Sequence, residues 1–255
     1  TTMIDNGSFD NCSIATISLD STNFDCSEEG DNVVTLTIID ANGNTNSATA
    51  VVTVSDTISP TVITQNVTVY LDANGAASIS TADIDNNSFD NCGVATLSLD
   101  STNFDCSEVG ANTVTLTVTD VNANANTATA TVTVLDTISP TVITQNITLY
   151  LDSNGEASTD ETAIDNGSFD NCGIATITLD STNFDCGETG ANTVTLTITD
   201  DNGNVNTGTA TITVLDTIAP ELIVANDTAV CATDGNGTLV NFTNSANDNC
   251  GANAI

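Results

Sequence analysis

Residues 113–119, Thr113-Val114-Thr115-Leu116-Thr117-Val118-Thr119, alternate hydroxyl with aliphatic side chains without a break. A period of two puts alternate side chains on opposite faces of an extended chain, so the run reads as a half-buried antiparallel strand with an aliphatic inner face. Residues 127–134 repeat the alternation, and Asp120, Asn122 and Asn124 fill the turn between the two runs. Working outward, Val67, Val69 and Leu71 alternate likewise. Asn74-Gly75 is a turn signal before an extended run over 76–79, and 94–99 is a further strand. No segment has a helical period. Six or seven short strands within about 80 residues predict an all-β chain of immunoglobulin-like β-sandwich domains.

The pattern recurs every 80 residues. Ile4-Asp5-Asn6-Gly7-Ser8-Phe9-Asp10-Asn11-Cys12 returns in close form at 84–92 and 164–172. The three prolines, Pro60, Pro140 and Pro220, each close an Asp-Thr-Ile-Ser/Ala-Pro pentad. Proline fixes φ and holds the residue before it extended, so each pentad reads as a stiff lead-in to a domain. The predicted organisation is a partial repeat at 1–55, full repeats at 56–135 and 136–215, and a divergent partial repeat at 216–255. The two full copies differ at 21 of 80 positions, leaving 80 − 21 = 59 identities. The partial ends could complete one another between molecules by strand donation, but both carry an Asp-Asn-Cys segment. The preferred reading is a window of a longer array.

Composition narrows the chemistry. The chain of 255 residues has 34 acidic side chains and no Lys, Arg or His, for a formal charge of −34. Phosphate clamps, nucleic-acid binding and polybasic membrane contact all need cationic side chains, so they are excluded. Histidine bases, Schiff-base lysines and Ser-His-Asp or Cys-His pairs are excluded with them. Carboxylate, amide, hydroxyl and backbone oxygens remain, a donor set suited to hard cations such as calcium. No apolar stretch is long enough to span a membrane, and direct membrane insertion is not expected. With no Trp, seven Phe and two Tyr, each core is expected to be small and aliphatic.

Pro60 with Val-Ile-Thr after it, the Asn-Val-Thr-Val strand, the Asp-Asn-Cys turn, the segment from Phe104 to Gly110, Val-Thr-Leu-Thr-Val-Thr-Asp and the closing Thr-Val-Thr-Val together resemble the hyalin repeat. That family comprises Ig-like extracellular modules in tandem, found in animal matrix proteins and in long surface adhesins of Bacteroidota. The resemblance implies a secreted, cell-surface, adhesive or structural role and no enzymatic activity.

Eight cysteines fall in pairs, Cys12/Cys26, Cys92/Cys106, Cys172/Cys186 and Cys231/Cys250, the first three with the same separation. They are expected to form local disulfides in an oxidising compartment, Cys12–Cys26, Cys92–Cys106, Cys172–Cys186 and Cys231–Cys250. A loop of about 15 residues closed in this way is worth about 3 kcal/mol. Cys250 aligns with Cys172 and could instead pair with a cysteine beyond Ile255, which leaves the partner of Cys231 open. Thiolate zinc sites would need cysteines from two repeats and have no histidine to assist.

In an Ig-like topology the lead-in, the B–C loop and the F–G loop share one pole of the sandwich. The oxygen donors gathered there are Asp56, Asp85, Asn86, Asp90 and Asp120 in one copy and Asp136, Asp165, Asn166, Asp170 and Asp200 in the next. Asp5, Asp10 and Asp40 are their counterparts in the first copy, and Asp216 opens the last. Asn91, Asn122, Asn124, Asn171, Asn202 and Asn204 accompany them. Crowded carboxylates repel unless a cation sits among them, so calcium ions are the expected partners, with Asp72 or Asp152 of the preceding copy's A–B turn as further donors. Calcium shared across a junction would stiffen a string of domains into a rod. The competing reading is turn chemistry alone, with Asp and Asn bonding their own backbone.

Asp-Ser/Thr triplets at Ser21, Thr57, Ser101, Thr137, Ser181, Thr217 and Thr228 look like the O-glycosylation acceptor of Bacteroidota. Asn-x-Thr sequences at Asn66, Asn146 and Asn226 are of the kind that arises by chance in Thr-rich chains. Covalent glycans and neighbouring repeats or chains of the same filament complete the expected partners. The leading function is an extracellular filament or stalk of calcium-stiffened, disulfide-locked repeats. The alternative is a ligand-binding adhesin module that uses Thr-rich sheet faces for carbohydrate or ice. A carboxylate-pair glycosidase is disfavoured, because near-identical copies of one pole do not supply two unlike acids flanking a cleft.

Overall fold

The computed structural model describes residues 3–223 and 245–251. The chain is almost entirely β, and its contacts divide it into two compact units. Among the described residues, unit 1 holds 3–69, 78–104 and 108–134, and unit 2 holds 70–77, 105–107, 135–223 and 245–251. Unit 2 thus takes in two short segments, 70–77 and 105–107, of the sequence copy that precedes its main body.

In unit 2 the central sheet has four strands, in the order Ile147–Tyr150, Val205–Leu215, Gly190–Asp200, Ile174–Leu179. The long strands Gly190–Asp200 and Val205–Leu215 pair antiparallel from Gly190↔Val214 to Thr199↔Val205, and Ile147–Tyr150 adds in parallel along Ile212–Leu215. Alternation of Thr with Val, Leu and Ile does what a period of two requires. Val194, Leu196, Ile198, Ala210, Ile212 and Val214 all face inward and are buried. Their cover is a thinner layer. Glu156–Ser158 pairs with Asn183–Asp185, isolated bridges join Thr141 to Phe169 and Thr144 to Asp165, and a single helical turn spans Glu161–Ile164. Ile164, Leu151 and Phe184 close the core from that side. Fully burying each such aliphatic side chain is worth about 1.5–3 kcal/mol, so this compact cluster is the main source of cohesion.

Unit 1 carries the antiparallel meander of long strands twice. Residues of the second copy form a sheet in the order Val67–Tyr70, Ala125–Leu135, Gly110–Asp120, Val94–Leu99. The first copy forms a three-stranded sheet of Ile14–Leu19, Gly30–Asp40 and Thr45–Val54, with Val34 and Leu36 buried. Each copy has a bulge at one place in its edge pairing, between Ile14 and Thr16, Val94 and Thr96, and Ile174 and Thr176. The strands match the alternation in the sequence. The helical turns Thr81–Ile84 and Glu161–Ile164 do not show there, since four residues are too few to display a helical period.

The cysteine pairing differs from the local one expected. The bonds are Cys26–Cys92, Cys106–Cys172 and Cys186–Cys250, with Cα–Cα distances of 5.3, 5.3 and 5.1 Å. Cys12–Cys26, Cys92–Cys106, Cys172–Cys186 and Cys231–Cys250 are therefore not the bonds formed. Cys12 is exposed and free, and Cys231 lies outside the described residues. The physical reason is placement. Cys26, Cys106 and Cys186 open 3-10 turns at one end of a copy, whereas Cys92, Cys172 and Cys250 follow Asp-Asn loops of the next copy. Each bond thus ties one copy to the next while lying inside a single compact unit. A loop spanning 66 residues gains about 4 kcal/mol in the chain-entropy picture, more than the short loop would.

Candidate metal centre

Three acids converge in each full copy. In unit 1 they are Asp56, Asp90 and Asp120, and in unit 2 Asp136, Asp170 and Asp200, each set with one carboxylate oxygen apiece lying mutually within 4.8 Å. Asp120 and Asp200 are 2% exposed and Asp136 is 7% exposed.

Each acid is placed by its own local structure. Asp200 ends the long strand and organises the turn after it. Its Oδ1 accepts from the Asn202 and Asn204 amides at 2.9 and 2.8 Å, and its Oδ2 accepts from Asn204 Nδ2 at 2.8 Å. Asn204 Nδ2 also reaches the Asp136 carbonyl at 3.3 Å, tying the turn to the lead-in. Asp136 Oδ1 accepts from the Ile138 amide and from Asn171 Nδ2, both at 3.1 Å, which leaves Asp136 Oδ2 buried with no donor. Both oxygens of Asp170 and Oδ1 of Asn171 are buried without donors as well. In unit 1 Asp56 Oδ2, Asp90 Oδ1 and Asn122 Oδ1 are the donorless atoms, and Asp120 repeats the Asp200 turn.

A buried anionic oxygen without a donor costs several kcal/mol. Burial pushes the Asp170 carboxyl above its ordinary value, with the charges of Asp136 and Asp200 adding to the effect. Burial also opposes ionisation of Asp120, but hydrogen bonds from Asn124, Asn122 and Ala123 together hold that carboxyl below its ordinary value. Three converging carboxylates with buried, donorless oxygens beside them fit a hard divalent cation held by carboxylate and amide oxygens. In a chain with no Lys, Arg or His, no side chain can neutralise them instead.

The last copy supplies part of a third set. Asn249 Nδ2 donates to Asp216 Oδ1 and to the Asp152 carbonyl, both at 3.1 Å, and Asp248 Oδ1 and Asn249 Oδ1 are buried without donors. Asp248 was not among the expected ligands. Its alignment with Asp90 and Asp170 through the following Asn-Cys is the signal that finds it.

Other expected ligands go elsewhere. Asp85 and Asp165 cap one-turn helices, bridge to Thr64 and Thr144, and accept from the Ser88 and Ser168 amides at 3.0 Å. They are not in the triads, and Asn86 and Asn166 stand exposed beside them. The reason is that this stretch is stitched to the cover layer rather than to the pole. Asp5 makes the matching bond to the Ser8 amide at 2.9 Å. Asp10 and Asp40 occupy positions equivalent to Asp90 and Asp120 but belong to no group of three acids among the described residues. Asp72 and Asp152 spend their carboxylates on their own turns, accepting from Asn74 and Ala76 and from Asn154 and Glu156. What they contribute to the pole is a backbone carbonyl, held by Asn171 at 3.4 Å and Asn249 at 3.1 Å.

Among the expected acceptors for glycans, Thr57, Thr137 and Thr217 are exposed, Ser21, Ser101 and Ser181 are half-buried, and Thr228 lies outside the described residues.

No family model matches the chain, and no curated protein matches it, so neither supports the hyalin repeat specifically. Solved structures similar to it include extracellular cadherin domains 1–4 of protocadherin gamma B7, at 12% identity over 88% of this chain and 68% of that one, TM-score 0.34. Protocadherin gamma B2 domains 1–5 match at 13% identity over 87% of this chain and 52% of that one, TM-score 0.33. Domains 1–2 of human mucin-like protocadherin match at 14% identity over 62% of this chain and 98% of that one, TM-score 0.34. Identities this low leave the functions of those proteins with them. No helix among the described residues is long and apolar enough to cross a membrane.

Proposed function

We propose that the chain is part of an extracellular structural or adhesive array whose 80-residue copies are closed at one pole by calcium. The single observation that carries this reading is the pair of Asp triads with buried, donorless oxygens in a chain lacking every cationic side chain. An ion there neutralises the acids, joins the lead-in, the Asp-Asn-Cys loop and the Asp-x-Asn-x-Asn turn, and so fixes three loops that would otherwise repel. Three disulfides agree with an oxidising compartment outside the cell. The repetition of near-identical sites supports a structural role for the metal rather than a catalytic one. Calcium is favoured over magnesium because the donors come from three separate loops, and calcium tolerates irregular oxygen cages better. Exposed Thr57, Thr137 and Thr217 are the acceptors most open to O-glycans, which intact-mass analysis of native material would reveal.

The test is calorimetric titration of chelator-stripped protein with calcium and with magnesium, beside thermal melts. Saturable calcium binding at two or more sites with a raised melting temperature is expected, magnesium binding more weakly. No binding heat and an unchanged melting temperature would overturn the reading.

A further inference from the structure

Asp170, Asn171 and Cys172 are consecutive and have three different attachments. Asp170, whose carboxylate oxygens are buried without donors, has one of them within 4.8 Å of an oxygen of Asp136 and of Asp200. Asn171 Nδ2 donates to Asp136 Oδ1 at 3.1 Å and reaches the Asp72 carbonyl at 3.4 Å. Cys172 is bonded to Cys106, whose Sγ lies 3.4 Å from the Asn171 carbonyl oxygen. The Asp72–Ala76 turn comes close on the same side. A Cβ on Gly75 would sit 2.6 Å from Cys106 Sγ and 3.0 Å from Asn171 O. The segment carrying Asp170 is therefore clamped by a covalent bond and a close backbone approach. The arrangement recurs. Cys26 Sγ is 3.5 Å from Asn91 O, and Asn91 donates to Asp56 Oδ1 at 3.2 Å. Cys186 Sγ is 3.5 Å from Asn249 O, and Asn249 donates to Asp216 Oδ1 at 3.1 Å.

We propose that each disulfide and the acid site beside it are thermodynamically linked: the bond between copies pre-organises the Asp-Asn-Cys loop for calcium, and bound calcium protects that bond from reduction. This rests on the calcium reading. Outer groups that orient a ligand typically change metal affinity ten- to a hundredfold. When the bond is cut, two thiols must separate to van der Waals contact, and the loop carrying Asp170 moves with Cys172. Linkage is reciprocal, so whatever factor the bond contributes to calcium affinity, calcium contributes to the bond.

The experiment uses the full chain. Reduction by a dithiol transfers two electrons and two protons to each disulfide, and the dithiol closes to its own cyclic disulfide. Calcium titrations of the oxidised and reduced protein should differ by about tenfold in affinity, with circular dichroism reporting that the strands persist. In glutathione redox buffers, with thiol trapping and mass spectrometry, saturating calcium should shift the reduction equilibrium of Cys26–Cys92 and Cys106–Cys172 by the same factor. In the double variant Cys106→Ser/Cys172→Ser, only the Asp136–Asp170–Asp200 site should weaken, the Asp56–Asp90–Asp120 site serving as internal reference. If that variant fails to fold, the redox-buffer measurement on the unaltered chain decides. Equal affinities and equal reduction equilibria with and without calcium overturn the linkage and leave the calcium reading standing. Absence of calcium binding to the oxidised protein overturns both.

Discussion

Two turns of the third copy are near twins in sequence: Asp152-Ser153-Asn154-Gly155-Glu156 and Asp200-Asp201-Asn202-Gly203-Asn204. They are twins in hydrogen bonding too. Each leading Asp accepts from the amides two and four residues on, at 2.8 and 3.0 Å in the first and 2.9 and 2.8 Å in the second. Each also binds an Asn side-chain amide through Oδ2. Yet Asp152 is exposed and complete in itself, whereas Asp200 is buried against Asp136 and Asp170. An Asp-x-Asn-Gly turn is thus a way of folding the chain back, and it becomes part of a candidate cation site only where other loops bring further oxygens to it.

The largest effect that separates the twins is on metal. Asp200→Asn should weaken calcium binding by at least about tenfold, since charge count tunes such sites, while Asp152→Asn should leave the affinity unchanged, both read by titration calorimetry. Asp170→Asn sharpens the point by a change of sign. In chelator it should raise the melting temperature by relieving repulsion, and in calcium it should lower it.

Next in size is the response to a methyl group. A Cβ on Gly155 would meet Cys186 Sγ at 2.6 Å and Asn249 O at 2.7 Å, in a backbone with φ of +76°. Gly203, with φ of +90°, has open space around it. Gly155→Ala should cost about 2 kcal/mol or more and Gly203→Ala about 1 kcal/mol, measured by denaturant unfolding.

Acid should then reveal the self-contained turns. Backbone bonds from Glu156 and Asn154 hold the Asp152 carboxyl below its ordinary 3.8, and bonds from Asn74 and Ala76 do the same for Asp72. A depressed folded value means that the contribution is full above 3.8 and is lost as pH falls through the folded value. Unfolding midpoints in chelator should therefore show this loss only below about pH 3.8, and Asp72→Asn combined with Asp152→Asn should lessen it, the remainder coming from other carboxyls held low by hydrogen bonds, such as Asp20, Asp100 and Asp160. The smallest effect concerns the middle copy, where Ala123 occupies the left-handed position with φ of 72° that Gly43 and Gly203 hold in the other copies. Ala123→Gly should raise stability by about 0.5–1 kcal/mol.

Much of the candidate site is legible in the sequence because the chemistry is so restricted. Asp56, Asp90 and Asp120 could be gathered from three loops of an Ig-like scheme, and the absence of cations argued for a metal among them. Asp85 was grouped with them because it too belongs to the segment before the Asp-Asn-Cys turn. Only its bridge to Thr64 and its helix cap remove it from the pole. Gly75 read as an ordinary hairpin glycine, and its closeness to Cys106 and Asn171 has no trace in its own neighbourhood of sequence.

The sequence by itself determined the strands, their inner and outer faces and the exclusion of every partner that needs a cationic side chain, because alternation and composition are local or additive properties. It could not determine which cysteines join. The short separation is 26 − 12 = 14 residues, the observed one is 66, and 14 + 66 = 80, so a period of 80 repeats both pairings equally well. Tertiary structure alone decided that, together with which acids converge at one pole, because both depend on distances between loops that are remote in the chain and are set only when the sheets pack.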